Sequence, residues 1–134
     1  MTTVLMVESE RLVREFVADR LEQAGYDVIA CPGPSAPNYT CIGTRGDRCP
    51  LEVAADVVVL DAELPGEDVI DAASGLDLLS YYTASGKPVV ALGAGSDVLR
   101  LFAGERILPL RWPPVTNALI QAIEETVSVP PTGA

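Results

Sequence analysis

The side chains that could do chemistry in this sequence are mainly carboxylates. Nineteen acidic residues stand against nine basic ones, the formal net charge is -10, and the 134-residue chain contains no histidine. A Ser-His-Asp triad, a Cys-His pair, an imidazole metal ligand and a phosphohistidine are therefore excluded. Carboxylates, three cysteines, hydroxyl groups and a few bases remain as candidates.

Two of the carboxylates stand directly after short apolar runs. Glu8 follows the run TVLMV, and Asp61 follows DVVVL, which is the strongest strand signal in the chain. A third run, PVVAL, leads to Gly93. Binding sites in parallel sheets lie outside the carboxyl ends of the strands. If these runs are parallel strands, Glu8, Asp61 and Gly93 meet at one acidic edge of the sheet.

The periodicity of the chain predicts that strands and helices alternate. Apolar residues at helical spacing follow Glu8, with Ser9 placed as the N-cap and Gly25 after the last turn. We expect strands at residues 3–7, 27–30, 56–60, 88–92 and 107–110, a short amphipathic piece at 51–55, and helices over 12–21, 74–84, 97–103 and 116–127. This order predicts an α/β fold with a doubly wound, five-stranded parallel sheet.

The segment from Cys31 to Pro50 breaks that alternation. It is rich in proline and glycine and has no apolar period, which predicts an irregular loop in place of most of the second helix. Cys31, Cys41 and Cys49 lie in it without a CxxC pair, whereas structural zinc prefers four closely spaced ligands. We interpret the thiols as buried small hydrophobes or loop anchors, with a thiol switch or metal site as the alternative.

Three stretches resemble the response-regulator receiver domain, and they follow one another in that family's order. They are VLMVESERLVREFVADRLEQAGYDVI at 4–29, ADVVVLDAELPG at 55–66 and GKPVVAL at 86–92. The resemblance extends over nearly the whole chain and implies a flavodoxin-like receiver fold. It also implies that Asp61 is a phosphoacceptor that takes a phosphoryl group from a histidine kinase or a phosphotransfer protein.

The same resemblance implies a Mg²⁺ site. The ion would be held by Glu8, by Asp61 and by the backbone carbonyl of Glu63. A hard dication with oxygen ligands suits this role, because a carboxylate that attacks a phosphoryl group faces anion-anion repulsion.

The sequence departs from the family pattern at three helper positions. Ser9 stands where a second acid usually contacts the metal, and Gly93 where a Thr or Ser usually binds the phosphoryl oxygen. At the usual lysine position, spacing to the last helix favours Trp112, whereas charge favours Arg111. The chain therefore resembles an atypical receiver.

The function that this pattern favours is a stand-alone, receiver-like signal-transduction protein of a two-component phosphorelay. The alternatives are a phosphorylation-independent pseudo-receiver that acts as a protein-interaction module, and a thiol or metal sensor using the Cys31–Cys49 loop. We expect no enzyme in the ordinary sense. The expected partners are the histidine kinase or phosphotransfer protein that donates the phosphoryl group and an unknown downstream protein. A homodimer of the chain is an open alternative.

Length and composition predict one domain over residues 1–129, followed by a frayed tail at 130–134. The strongly acidic charge argues against nucleic-acid binding. No apolar run approaches the roughly 20 residues of a membrane span, and the N-terminus has no basic region before an apolar core. We therefore expect a cytoplasmic protein that does not bind membranes.

Overall fold

The computed structural model describes residues 2–8, 10–32, 49–61, 75–93, 106–110 and 116–128, the side chains of 75–78 and 128 excepted. Strands and helices alternate through these ranges. In chain order they are β1 (Thr3–Val7), α1 (Arg11–Gln23), β2 (Asp27–Cys31), α2 (Pro50–Ala54), β3 (Val57–Asp61), α3 (Gly75–Ala84), β4 (Val89–Leu92), β5 (Ile107–Leu110) and α4 (Thr116–Ser128).

The five strands form one sheet in the order β2-β1-β3-β4-β5, and every neighbouring pair is parallel. The predicted α/β class and five-stranded parallel sheet are confirmed. All residues of β3 and β4 are buried, as are all but the first of β1. Strands covered on both faces need continuous apolar runs, which is why TVLMV, DVVVL and PVVAL stand out in the sequence.

Side chains of each central strand alternate between two core clusters, one on each face of the sheet. Val4 and Met6 of β1 pack with α1 and α4, in a cluster that also contains Val57 and Val59 of β3. Leu5, Val7, Val58 and Leu60 pack on the other face with Leu79 and Tyr82 of α3. Successive side chains of a strand point to opposite faces of the sheet. The position of a strand's last residue therefore determines the face on which its side chain lies.

The start of helix α1 differs from the prediction. Glu10, not Ser9, is the N-cap residue, and α1 has no side-chain cap hydrogen bond. The N-H group of Glu10 donates instead to Oε1 of Glu8, at 3.0 Å. The prediction of Ser9 as the cap is wrong, because α1 begins at Arg11, which makes Glu10 the residue before its first turn, and the acid after β1 supplies the nearby acceptor. At the other end, Gly25 has a φ of 100°, in agreement with the predicted stop.

The boundaries of the predicted Cys31–Pro50 loop also shift. Cys31 is the last residue of β2 and is buried, and its carbonyl accepts the N-H group of Glu8, which extends the β1-β2 ladder. Pro50 is the first residue of α2. The rest of the predicted loop, at 33–48, lies outside the described residues, as do the predicted helix at 97–103 and the tail at 130–134.

No helix in the described ranges has the length and apolar character needed to cross a membrane.

Candidate functional site

Three of the predicted site positions lie at the carboxyl ends of adjacent strands. The β1-β3 register pairs Val7 with Leu60, so the following residues, Glu8 and Asp61, are neighbours across two strands about 4.8 Å apart. The β3-β4 register pairs Asp61 with Leu92, which places Gly93 one residue beyond it. The sheet therefore brings Glu8, Asp61 and Gly93 to one edge.

The two acids at this edge are buried. Glu8 is 1% exposed and Asp61 is 9% exposed. The alternation that places Val4 and Met6 on the α1/α4 face also places Glu8 there, and the same holds for Asp61 after Val57 and Val59. Two carboxylate residues thus share one face and one edge of the sheet.

Hydrogen bonds fix Glu8 from several directions. Its backbone N-H group donates to the carbonyl of Cys31 at 3.0 Å, and its Oε1 accepts the N-H group of Glu10 at 3.0 Å. Its own carbonyl accepts a hydrogen bond of 2.8 Å from Nη1 of Arg14, on the first turn of α1. Neighbouring β2, the start of α1 and an arginine side chain together hold this residue.

The donor set of the edge fits Mg²⁺. This ion binds oxygen ligands and usually needs only one or two carboxylates, with water and substrate phosphate completing its shell. Two buried carboxylates close together repel each other, and a dication between them would offset that repulsion. In the described ranges no three Cys, Asp or Glu residues form a metal-binding group. Glu63 lies outside the described residues.

Gly93 supplies backbone groups at the third strand end. Its φ is 76°, in the left-handed region that favours glycine, and its N-H group donates to the carbonyl of Leu110 at 2.9 Å. A β-branched Thr, which the family resemblance would put here, is disfavoured in this conformation. Arg111 and Trp112, the two candidates for the lysine position, lie outside the described residues.

Two of the three cysteines lie in the described ranges. Cys31 is 6% exposed and packs in the α2/α3-side cluster. Cys49 is the N-cap residue of α2, and its N-H group donates to the Tyr81 hydroxyl at 2.8 Å. Cys41 lies outside the described residues.

Sequence reasoning missed Arg14. Its position in a helix with mixed charges is typical of a solvated surface residue, and its side-chain contact with the carbonyl of Glu8 depends on how tightly the chain turns from β1 into α1. The available signal was an arginine six residues after the strand-terminal acid.

Neither the family models nor the curated proteins include a match to this chain. Solved structures do match, and many of the similar chains are response regulator receiver domains. The fold is that of receiver domains. A response regulator receiver protein from Sinorhizobium medicae has a TM-score of 0.68 at 17% identity, covering 96% of this chain and 95% of its own.

Two further receiver structures give the same result. The non-phosphorylated HemR receiver domain from Leptospira biflexa has a TM-score of 0.69 at 24% identity, and 97% of each chain is covered. The chemotaxis protein CheY4 from Vibrio cholerae has a TM-score of 0.67 at 17% identity, covering 94% of this chain and 98% of its own. At these identities the likeness concerns the fold.

Proposed function

We propose that this chain is a receiver-like signalling protein in which Asp61 accepts a phosphoryl group from a histidine kinase or a phosphotransfer protein. The observation that carries the proposal is the buried pair formed by Glu8 and Asp61 at the carboxyl edge of the sheet. The receiver fold supports it. We further propose that residues 1–129 form one cytoplasmic domain that passes its signal to a downstream protein.

The proposed reaction is a phosphoryl transfer to a carboxylate oxygen of Asp61. An O-P bond forms, the P-N bond of the donor phosphohistidine breaks, and its electron pair stays on the imidazole nitrogen. Glu8 and Asp61 would hold Mg²⁺, with the carbonyl of Glu63, and the ion would offset the repulsion between the carboxylate and the phosphoryl oxygens. Arg111 is the proposed substitute for the usual lysine, and Trp112 is the alternative at that position.

Incubation with acetyl phosphate and Mg²⁺, followed by intact mass measurement, tests the proposal. Wild type should gain the mass of one phosphoryl group, and Asp61→Asn should gain none. Asp56→Asn is a matched control, because Asp56 stands just before the amino end of the same strand and its Oδ2 only accepts the N-H group of Thr3, a role that Asn can keep. An unmodified wild type, or an adduct that persists in Asp61→Asn, would contradict it.

The conformation of Gly93 favours a second candidate, a pseudo-receiver that binds partners without phosphorylation. Gly93 has no side-chain hydroxyl that could bind a phosphoryl oxygen. Its φ of 76° also disfavours a β-branched residue such as Thr at this position. Beryllofluoride with Mg²⁺ separates the two candidates, since it mimics a phosphoryl group on an aspartate. Amide NMR shifts around Asp61 on its addition support the phosphoacceptor, whereas unchanged spectra support the pseudo-receiver.

A further inference from the structure

We propose that Arg14 is a positioning residue of this site, whose guanidinium fixes the orientation of the Glu8 carboxylate. The expected effect of Arg14 on Mg²⁺ binding rests on the proposed function. The positioning itself is a property of the β1-α1 turn and can be measured separately.

Three hydrogen bonds close the β1-α1 turn on itself. Nη1 of Arg14 donates to the Glu8 carbonyl at 2.8 Å, and the Arg14 backbone N-H donates to the Glu10 carbonyl at 2.9 Å. The Glu10 N-H then donates back to Oε1 of Glu8 at 3.0 Å. The guanidinium thus holds the Glu8 backbone directly, and the Glu8 carboxylate is linked to the same turn through the Glu10 N-H group.

This arrangement has the form of an outer-shell contact to a metal ligand. Partners that orient a ligating carboxylate typically change metal affinity by 10- to 100-fold when they are removed. Arg14 bonds the backbone of Glu8 at its carbonyl, and that carbonyl belongs to the residue whose side chain would reach the ion. Loss of the guanidinium removes the one of these three hydrogen bonds whose donor is charged.

The charge of Arg14 predicts the opposite effect, so the two roles can be told apart. A cation near Glu8 weakens the binding of a second cation by Coulomb repulsion. If Arg14 acted only through its charge, its removal would strengthen Mg²⁺ binding. If it positions Glu8, its removal weakens Mg²⁺ binding even though the local charge becomes more negative.

Arg14→Gln, Arg14→Lys and Arg11→Gln provide the test. Arg11 is a matched control, because it lies one turn earlier on α1, its side chain is 74% exposed, and it pairs with Glu15 at 3.3 Å rather than with Glu8. Titration with Mg²⁺ alone, followed by calorimetry, should show about tenfold weaker binding for Arg14→Gln. Arg14→Lys and Arg11→Gln should stay within about threefold of wild type.

Hydrogen exchange of the Glu10 amide gives a second readout that needs no metal. Protection of this amide should fall about tenfold in Arg14→Gln and stay unchanged in Arg11→Gln, with amides of β3 as the internal reference for global stability. Unchanged Glu10 protection in Arg14→Gln, or Mg²⁺ binding as tight as in wild type, would overturn the proposal. A wild type that binds no Mg²⁺ would instead count against the proposed function, and Glu10 exchange would still decide the role of Arg14.

Discussion

At the scale of single residues, the sheet edge carries two buried acids. Glu8 and Asp61 are buried next to each other on neighbouring strands, and like charges opposite one another destabilise a sheet. A carboxylate removed from water also loses hydration that a neighbouring carboxylate cannot replace. If this edge binds a dication as proposed, the ion would offset the repulsion.

Replacing Asp61 by Asn should therefore stabilise the protein. Without divalent cations at neutral pH, we expect the free energy of unfolding to rise by about 1 kcal/mol, because the repulsion from Glu8 is removed. Urea unfolding monitored by circular dichroism measures the change. Asp56→Asn, which alters an exposed acid just before the same strand, should show no such gain. A less stable Asp61→Asn would indicate that the negative charge is needed for folding.

Tyr26, which lies between α1 and β2, gives the stability of the protein a pH dependence. Burial raises the pKa of Tyr26 above 10.0, and the nearby Glu124 carboxylate raises this pKa further. The phenol ring packs against the α1/α4-side cluster. Since the folded state keeps the proton longer than the unfolded chain, stability is fully present below pH 10.0 and falls as the pH rises through the folded-state pKa.

Tyr26→Phe should remove that part of the pH dependence. Above pH 10.0 the free energy of unfolding of wild type should decline more steeply than that of the variant. Urea unfolding over a pH series measures both slopes. Glu124→Gln, which removes only the smaller cause of the shift, should give an intermediate slope. Parallel slopes for wild type and Tyr26→Phe would contradict the expectation.

Different faces of helix α1 contribute to the core, to the sheet edge and to the solvent-exposed surface. Its inner face contributes Val17 and Leu21 to the core, and its first turn contributes Arg14 to the sheet edge. Its outer face exposes Leu12 and Phe16, the second of which lies under the Arg20 guanidinium at 5.0 Å from the ring centre. The helix thus packs on the core with its inner face, and its Arg14 side chain contacts Glu8.

The same substitution on the two faces of α1 should have very different effects. Leu21→Ala removes a fully buried side chain and should lower the free energy of unfolding by about 2 to 5 kcal/mol. Leu12→Ala, at a side chain that is 75% exposed, should change it by about 0.5 kcal/mol or less. Chemical unfolding of both variants gives the comparison. Similar losses at the two positions would mean that the outer face of α1 is covered by a partner copy in solution.

At the scale of the whole molecule, the net charge of -10 sets the electrostatic background. Net charge far from zero keeps a chain soluble but destabilises the compact state through self-repulsion. Salt screens that repulsion over a Debye length of about 10 Å at 0.1 M ionic strength. A dication bound at the proposed Glu8–Asp61 site would act differently, because it would bind only the folded state and add stability by mass action.

A thermal unfolding experiment should distinguish the screening of surface charge by salt from the proposed binding of Mg²⁺ at Glu8 and Asp61. We expect NaCl to raise the midpoint of wild type and of Asp61→Asn by similar amounts, through screening of the acidic surface. At matched ionic strength, MgCl₂ should raise the wild-type midpoint further and leave Asp61→Asn at its NaCl value. An equal extra effect of MgCl₂ on both proteins would show that the ion binds elsewhere on the acidic surface.

The elements of this protein could be predicted from local patterns, because those patterns act over a few residues. Continuous β-branched runs can be buried on both faces only as central strands, so β1, β3 and β4 were evident before any tertiary contact was known. Helical spacing followed by Gly25 located the end of α1 for the same reason. Alternation of strand and helix then implied a parallel sheet, and with it the edge at which Glu8, Asp61 and Gly93 meet.

What only the tertiary structure decided depends on register and on turn geometry. The pairing of Val7 with Leu60 makes Glu8 and Asp61 neighbours, and a slip of one residue would have turned their side chains to opposite faces. The left-handed backbone at Gly93 and the contact of Arg14 with the Glu8 carbonyl likewise follow from how the chain turns after each strand. No local pattern encodes these features, because they join residues that are distant in the chain or depend on the exact end of an element.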